Sequence, residues 1–297
     1  MTHTLDSLNA RFAISGQVRF SQSAPGLPVI DIQTPHASAC VALQGAQVLT
    51  WQPTGQKPVL WVSKATLYAP GKAVRGGVPV CWPWFGAREG LPAHGFVRTR
   101  LWEVRECSCD AAGQVVLRLG TADDTNTRAV WNHAFDLELV VTVGLTLSMA
   151  LVTRNTGTAA FTITDALHTY FHVGDIAQAT VQGLDGCAYL DKVQHFAQAR
   201  QTGAVAFTGE TDRIYLDTTT DCLIDDKAWG RSIRVAKQGS NSTVVWNPWS
   251  EREKTFTDMA AGEHREMLCV ETCNAGPDQV TLAPGQSHTL TARLSVA

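Results

Sequence analysis

Apolar and polar residues alternate along much of the chain, most clearly between residues 135 and 143, which read FDLELVVTV. A period of two predicts a β-strand with one buried face. Residues 145–154 are rich in β-forming side chains and alternate in part. The turn-forming sequence Asn-Thr-Gly at 155–157 then precedes another short β-rich stretch at 161–164. This order of strands and turns predicts successive antiparallel strands.

Similar stretches recur through the rest of the chain, at residues 29–32, 39–51, 114–119, 232–235, 243–246 and 288–296. Helical signals are few. The best is Ser250 followed by Glu253, a possible capping box that would open a short helix before Asp258. There is no alternation of strands with helices, no internal repeat and no long linker. We therefore expect one all-β domain over residues 1–297, a large antiparallel β-sandwich with few short helices.

Composition and charge narrow the class of protein. The chain is 44% hydrophobic and 17% charged, which supplies a core and gives no sign of disorder. Its formal net charge of -3 lacks the basic excess that nucleic acid or anionic lipid would require, so neither is expected as a partner. Residues 1–20 do not resemble a signal peptide, and polar residues interrupt the apolar stretch 137–151. These features predict a cytoplasmic protein, which we expect to be a monomer.

The chain has eight cysteines but no CxxC motif. In a reducing compartment, buried reduced thiols are the simplest interpretation, in preference to disulfides or metal ligands. We assign these residues no chemistry at this point.

Several common catalytic motifs are missing, namely GxSxG, GxxxxGK[ST], GxGxxG and HExxH. The segment 74–102, VRGGVPVCWPWFGAREGLPAHGFVRTRLW, is the densest in candidate chemistry. Arg75 precedes Gly76 and Gly77, whose backbone N–H groups could approach an anion, and Arg98 follows in the same segment. Two guanidinium groups on one oxyanion would suit phosphate. Surface ion pairs are the alternative for both arginines.

A candidate proton-transfer group follows the predicted strand at 161–164, in the segment ALHTYFH. His168 titrates near neutrality and could give or take a proton. His172, four residues later in extended chain, would lie about 13 Å away, so the pair does not imply a shared metal. A structural role is the alternative for His168.

A candidate base interrupts the apolar segment MLCVET at 267–272. Partial burial of Glu271 would raise its pKa and make it a better base. The alternative is a solvated strand face, with Glu271 pointing away from Val270. Aromatic residues near these segments would suit a sugar pocket, although they could equally fill the core: Trp82, Trp84, Phe85, Phe171, Trp246 and Trp249.

Together, the blocks RGGVPVCWPWFG, LPAHGFVR, HTYF, TDRIYLDT, NPW with a later DM, and CVET resemble the hexose-6-phosphate mutarotases of the aldose 1-epimerase superfamily. The resemblance spans about residues 39–296, and the blocks occur in the family's order. It implies a galactose mutarotase-like β-sandwich that binds a small-molecule sugar phosphate in a cleft and needs no metal or organic cofactor.

The resemblance also implies roles for individual residues. By their positions in the family's blocks, His168 is the expected general acid and Glu271 the expected general base. Arg75 and Arg98 match the positions that bind phosphate, and Asp212 is expected to hold a sugar hydroxyl.

One position departs from the family pattern. Where the family often has a glutamine that contacts the substrate, this chain has Ala93. We expect that contact to be absent or to be replaced by a water or by His94.

Three other functions stay open. An epimerase of free aldoses would use the same acid and base without the arginines, and a carbohydrate-binding or sensing sandwich would use neither for catalysis. A glycosidase is disfavoured because its chemistry normally requires two carboxylates beside the scissile bond.

Overall fold

The computed structural model describes residues 4–23 and 26–297. Its strands are β1 Val18–Gln22, β2 Pro28–Gln33, β3 Ala37–Ala42, β4 Val48–Pro53, β5 Val80–Cys81, β6 Glu103–Cys109, β7 Val115–Ala122, β8 Phe135–Val143, β9 Leu147–Asn155, β10 Phe161–Ile163, β11 Asp165–Leu167, β12 Tyr170–His172, β13 Ala179–Gln182, β14 Ala188–Asp191, β15 Ala197–Arg200, β16 Val205–Ala206, β17 Thr211–Tyr215, β18 Cys222–Asp226, β19 Arg231–Gln238, β20 Ser242–Asn247, β21 Met267–Asn274, β22 Val280–Leu282 and β23 Ser287–Val296. The α-helices are α1 Leu5–Phe12, α2 Thr125–Val130 and α3 Trp249–Glu253, and short 3₁₀ turns occupy Val97–Thr99, Ile176–Gln178 and Glu263–Glu266.

Two large antiparallel sheets form the body of the molecule. One has the strand order β16-β13-β18-β19-β23-β9-β8-β7-β6, and the other has the order β15-β14-β17-β20-β21-β11-β5, with β12 also pairing with β21. A four-stranded sheet, β1 to β4, and the pair β10-β22 complete the structure. The main hydrophobic core includes residues of both large sheets, such as Leu139 and Leu151 from one and Leu268 and Val270 from the other. The all-β sandwich predicted from the alternating pattern is confirmed.

The alternation in residues 135–143 predicts its strand correctly. In β8 every odd-numbered residue is buried and every even-numbered residue is partly exposed, and β9 pairs with it from Leu147 to Asn155. Period-two burial of this kind is what a sheet with one packed face produces.

The β-rich stretch 39–51 contributes to two strands. It divides into β3 and β4, which pair with each other across a tight turn. In that turn Gly45 and Ala46 have φ angles of 73° and 50°. An apolar stretch of this length cannot reveal such a reversal, because both arms of the hairpin bury similar side chains.

The helix predicted to start at Ser250 is present, but its capping box is wrong. Helix α3 begins one residue earlier, after Pro248, and has no side-chain cap. The Glu253 carboxylate instead accepts hydrogen bonds from the backbone N–H groups of Gly262 and His264, at 2.8 and 2.7 Å. The helix is too short for its own cap to matter as much as this loop contact.

Two further helices had not been predicted. Thr4 caps α1 by accepting from Ser7 N at 3.2 Å, and Asp124 with Thr127 forms a capping box on α2. No helix in the described part of the chain combines the length and the apolar character needed to cross a membrane.

A buried ion pair links the nine-stranded sheet to neighbouring loops. Arg231 Nε lies 3.3 Å from Asp226 Oδ2, and these side chains are 4% and 0% exposed. The Arg231 guanidinium also donates to the carbonyls of Lys57, Pro58 and His172, at 2.9, 3.0 and 2.6 Å. One side chain thus joins three backbone carbonyls from two separate segments of the chain.

Replacing Arg231 by alanine should therefore destabilise the fold strongly, because it removes the cation that faces the buried Asp226 carboxyl group. We expect Arg231→Ala to lower the free energy of unfolding by about 3 to 5 kcal/mol, measured by urea denaturation. The control is Arg234→Ala, which removes an exposed pair with Asp221 and should cost less than about 1 kcal/mol. Similar losses for both variants would contradict the role given to Arg231.

Candidate active site

Successive side chains of strand β21 point alternately into the main core and to the opposite face of the sheet, where the candidate site lies. All eight of its residues are buried. Leu268 and Val270 pack into the main core between the large sheets, whereas Cys269 belongs to a separate cluster on the other face. Since successive side chains alternate, Glu271 shares the face of Cys269. Its side chain is only 1% exposed, so the solvated alternative for Glu271 is wrong.

A break between β11 and β12 positions His168 opposite Glu271. Both short strands pair with β21, Leu167 with Thr272 and Tyr170 with Cys269. The two residues between them interrupt the ladder, and His168 N donates to the carbonyl of Pro79 at 3.0 Å instead. His168 Nε2 lies 3.4 Å from Glu271 Oε1, and the histidine side chain is 11% exposed. The structure therefore brings the predicted acid and base into contact.

Burial dominates the electrostatics of this pair. It raises the pKa of Glu271 well above its ordinary value, an effect that Lys192 partly offsets and Asp212 reinforces. Burial likewise lowers the pKa of His168, and the nearby charges of His94, Arg98 and Arg75 lower it further. Both shifts favour the neutral forms.

Two atoms of the pair have no hydrogen-bond partner among the residues that the structure describes. They are His168 Nδ1 and Glu271 Oε2, and both are buried. Buried polar atoms are nearly always satisfied, so these two are candidates for contact with a ligand.

Aromatic rings fix the His168 ring and connect it to Arg75. The Tyr170 ring stacks on it with centroids 4.8 Å apart, and Trp246 meets it edge-on at 6.1 Å. Arg75 Nη1 donates to the Tyr170 hydroxyl at 3.3 Å and Nη2 pairs with Asp258 at 3.0 Å. Arg75 thus lies near the His168–Glu271 pair, and its guanidinium is already paired with the Asp258 carboxylate.

The interpretation as an anion-binding backbone is wrong for Gly77. Gly77 N donates to the carbonyl of Trp61 at 2.7 Å and is not free. A Cβ on Gly76 would lie 2.4 Å from Trp61 O, and one on Gly77 would lie 2.3 Å from Val48 O. These glycines are needed because the backbone packs tightly against its neighbours.

The loop at residues 93–98 adds His94 and Arg98 to the site. The His94 ring lies edge-on to that of His168, with centroids 5.6 Å apart, and it has a φ of 64°. Burial, with Arg98 and other cations nearby, lowers the pKa of His94 to about 3. Arg98 Nη2 donates to the carbonyl of Ala93 at 2.8 Å, and within the described chain no carboxylate pairs with it. His94 therefore lies directly beside His168.

Asp212 and Lys192 form another charged pair near Glu271. Lys192 Nζ lies 2.7 Å from Asp212 Oδ2, and both charges influence the pKa of Glu271. Lys192 was not predicted as a site residue. It follows β14, and only the pairing of β14 with β17 brings it to Asp212, a contact that no local motif signals.

The aromatic residues divide between site and core. Phe85 lies 5.0 Å from the His94 ring, and Trp246 borders His168. Trp82 and Phe171 are fully buried in the main core, and Trp249 packs near His264. The interpretation as core filling thus holds for part of the set. Cavities of about 470 and 960 Å³ open elsewhere on the surface, and neither has the His168–Glu271 pair among its lining residues.

Cys269 completes a group that could hold a metal ion. One ligand atom each from His168, Cys269 and Glu271 lie within 4.8 Å of one another, and all three residues are buried. All eight cysteines are free thiols, but only Cys81, Cys222, Cys269 and Cys273 are buried. Cys269 had been given no chemistry from the sequence, because its proximity to His168 depends on the pairing of distant strands.

Comparisons with known proteins agree on one family. Residues 28–295 match the aldose 1-epimerase family. The "Putative glucose-6-phosphate 1-epimerase" of Escherichia coli (strain K12) is 39% identical over 265 residues, 88% of this chain and 88% of that protein.

Solved structures give the same result for the fold. The crystal structure of "a putative mutarotase (YeaD)" from Salmonella typhimurium has a TM-score of 0.90 at 33% identity and covers 99% of both chains. A galactose mutarotase-like protein from Clostridium acetobutylicum has a TM-score of 0.74 at 13% identity, covering 94% of this chain and 98% of that one. The galactose mutarotase-like fold expected from the sequence is confirmed.

The 93–98 loop should depend on glycine at position 95. A Cβ there would lie 1.8 Å from Trp82 O, and Gly95 also has a φ of 74°. Gly90 has a similar φ of 69° but open space around it. We expect Gly90→Ala to cost about 1 kcal/mol, the effect of the φ angle alone, and Gly95→Ala to cost about 2 to 4 kcal/mol. Thermal and urea unfolding would compare them, and equal costs would refute the close contact.

Proposed function

Because the chain belongs to the aldose 1-epimerase family, we propose that it is a glucose-6-phosphate 1-epimerase that interconverts the α and β anomers of a hexose 6-phosphate. The observation that carries this proposal is the buried contact of His168 with Glu271 at 3.4 Å. A paired acid and base in a mostly dry site are what ring opening of a hemiacetal requires.

In the proposed mechanism, Glu271 removes the proton from the O1 hydroxyl while His168 donates a proton to the ring oxygen O5. The C1–O5 bond breaks and an open-chain aldehyde forms. Rotation about C1–C2 presents the other face of the carbonyl. The reverse transfers, with O5–H attacking C1, close the ring to the other anomer and restore both groups.

The two protonation states of the pair carry the same number of protons. Before ring opening the pair is imidazolium and carboxylate, and after it the pair is neutral imidazole and carboxylic acid. The low exposure of both side chains, 11% and 1%, disfavours the charged state. Burial thus brings the two states closer in free energy and lowers the cost of forming the aldehyde.

Arg98 and Arg75 support a phosphorylated substrate. The Arg98 guanidinium donates to a backbone carbonyl and, within the described residues, has no carboxylate partner. Both arginines also lower the pKa of His168 and of His94, so both project positive potential into the same site. An anion there would complete the charge balance, and multi-donor guanidinium groups suit phosphate.

His94 and Asp212 are proposed to hold the sugar. His94 adjoins His168 and takes the contact that Ala93 cannot make, while the buried Asp212 Oδ1 has no partner among residues 4–23 and 26–297. Lys192 fixes the other oxygen of Asp212 and leaves this one for a hydroxyl.

One observation favours the free-sugar alternative. Arg75 is already paired with Asp258 at 3.0 Å, so its charge is partly neutralised before any substrate binds. An epimerase of free aldoses would need only Asp212, His94 and the catalytic pair. The organisation as one domain, the monomeric state and the cytoplasmic location stay predictions.

The catalytic roles predict large losses from small substitutions. His168→Ala and Glu271→Gln should each slow anomer exchange of glucose 6-phosphate by about 100- to 10,000-fold, since each removes one proton-transfer group. NMR exchange between the two anomeric signals measures the rate. Glu266→Gln, an exposed carboxylate just before β21, should keep the parent rate. A folded variant with substantial remaining activity would reassign the catalysts.

The phosphate contacts predict a loss that depends on the substrate. Arg98→Ala and Arg75→Ala should each lower kcat/KM for glucose 6-phosphate by about 10- to 100-fold, and that for free glucose or galactose far less. Arg234→Ala, at an exposed site, should change neither. Equal losses on phosphorylated and free sugars would favour the free-aldose alternative.

A further inference from the structure

The outer face of β21 places a thiol beside the His168–Glu271 pair. Cys269 and Glu271 are two residues apart on one strand and therefore point to the same side. His168 reaches them from the break between β11 and β12, and the three candidate ligand atoms lie within 4.8 Å of one another. We propose that these three side chains form a binding site for a zinc-class divalent cation.

The spacing is close to what such a cation needs. Bonds of about 2.0 to 2.3 Å set the ligand atoms of a tetrahedral zinc site roughly 3.3 to 3.8 Å apart. His168 Nε2 and Glu271 Oε1 are already 3.4 Å apart. The strand pairs on either side of the break, Leu167 with Thr272 and Tyr170 with Cys269, hold the His168 backbone beside β21, so the remaining approach is left to the side chains.

The ligand types select the metal. One thiolate, one imidazole and one carboxylate favour Zn²⁺ or Co²⁺, while Mg²⁺ and Ca²⁺ prefer sites made of oxygen alone. Three protein ligands leave a fourth position open to water or to a sugar hydroxyl. The buried oxygen Glu271 Oε2, which has no partner in the described chain, would gain one if the carboxylate bound the metal through both oxygens.

Charge sets a limit on the affinity. Arg75, Arg98 and Lys192 bring positive potential to this site and oppose a cation. On binding, the Cys269 thiol releases one proton to solvent and the His168–Glu271 pair releases a second, which leaves a thiolate, a carboxylate and a neutral imidazole. The thiolate and the carboxylate together balance the two charges of the metal. The site is therefore expected to bind Zn²⁺ without the near-irreversible affinity of a four-ligand structural site.

A metal ion bound at this site would prevent both proposed proton transfers, because it would coordinate the lone pair of His168 and the carboxylate of Glu271. This consequence rests on the proposed function. Zn²⁺ should then inhibit anomer exchange reversibly, and chelation should restore it. Zn²⁺ binding does not depend on the proposed epimerase activity, so the metal site and the activity are tested by separate experiments.

Cobalt spectroscopy of the whole protein tests the site directly. Co²⁺ added to the metal-free chain should produce a thiolate-to-cobalt absorption band in the near ultraviolet and the visible bands of a tetrahedral ion, both abolished by added Zn²⁺. Mg²⁺ should not compete. Absence of the thiolate band in the parent protein would overturn the proposal.

Substitutions assign the ligands. Cys269→Ser should remove the thiolate band and weaken Zn²⁺ binding at least 10-fold, whereas Cys273→Ser, a buried thiol on the same strand, should change neither. A band that persists in Cys269→Ser would place the metal elsewhere and refute the site. If that variant does not fold, Glu271→Gln serves instead: it should keep the thiolate band but weaken binding at least 10-fold, and unchanged affinity would refute the carboxylate ligand.

Discussion

The register of β21 is the constraint on which the rest of the structure depends. Its eight residues are all buried, yet its two faces meet different surroundings. Leu268 and Val270 close the core between the large sheets, and Cys269 and Glu271 line the polar site. A shift of one residue would place the carboxylate in the core and leucine in the site. Folding and site assembly are therefore one event on this strand.

The structure contains two buried pairs of ionisable side chains, Arg231 with Asp226 and His168 with Glu271, and it satisfies them differently. Arg231 and Asp226 form a closed pair in which the carbonyls of Lys57, Pro58 and His172 absorb the other guanidinium donors. At the candidate site, by contrast, not every buried polar atom has a hydrogen-bond partner among the described residues. His168 and Glu271 each retain a buried atom with no partner among the described residues. The first arrangement stabilises the fold, whereas the second leaves interactions for a ligand to supply.

Local patterns in the sequence predicted local structure well, but they could not predict contacts between distant segments. The alternation in residues 135–143 gave β8 with its bounds, and the ordered motif blocks identified the family and the pair His168–Glu271. The depth of Glu271 could not be predicted, because alternation does not say whether the second face of a strand is covered. Lys192 reaches Asp212 only through strand pairing, and Gly76–Gly77 owes its composition to backbone contacts that no motif encodes.

The 93–98 loop meets the sheet residues at the site but is built independently of them. It is held against Trp82 by a contact that only Gly95 allows, and it carries His94 and Arg98. His168 lies in the break between β11 and β12, and Glu271 lies on β21. On the proposed assignment, part of the choice of substrate is thus encoded in a different piece of chain from the proton-transfer groups. Evolution could exchange the residues around Gly95 and acquire a new specificity while inheriting the proton-transfer apparatus unchanged.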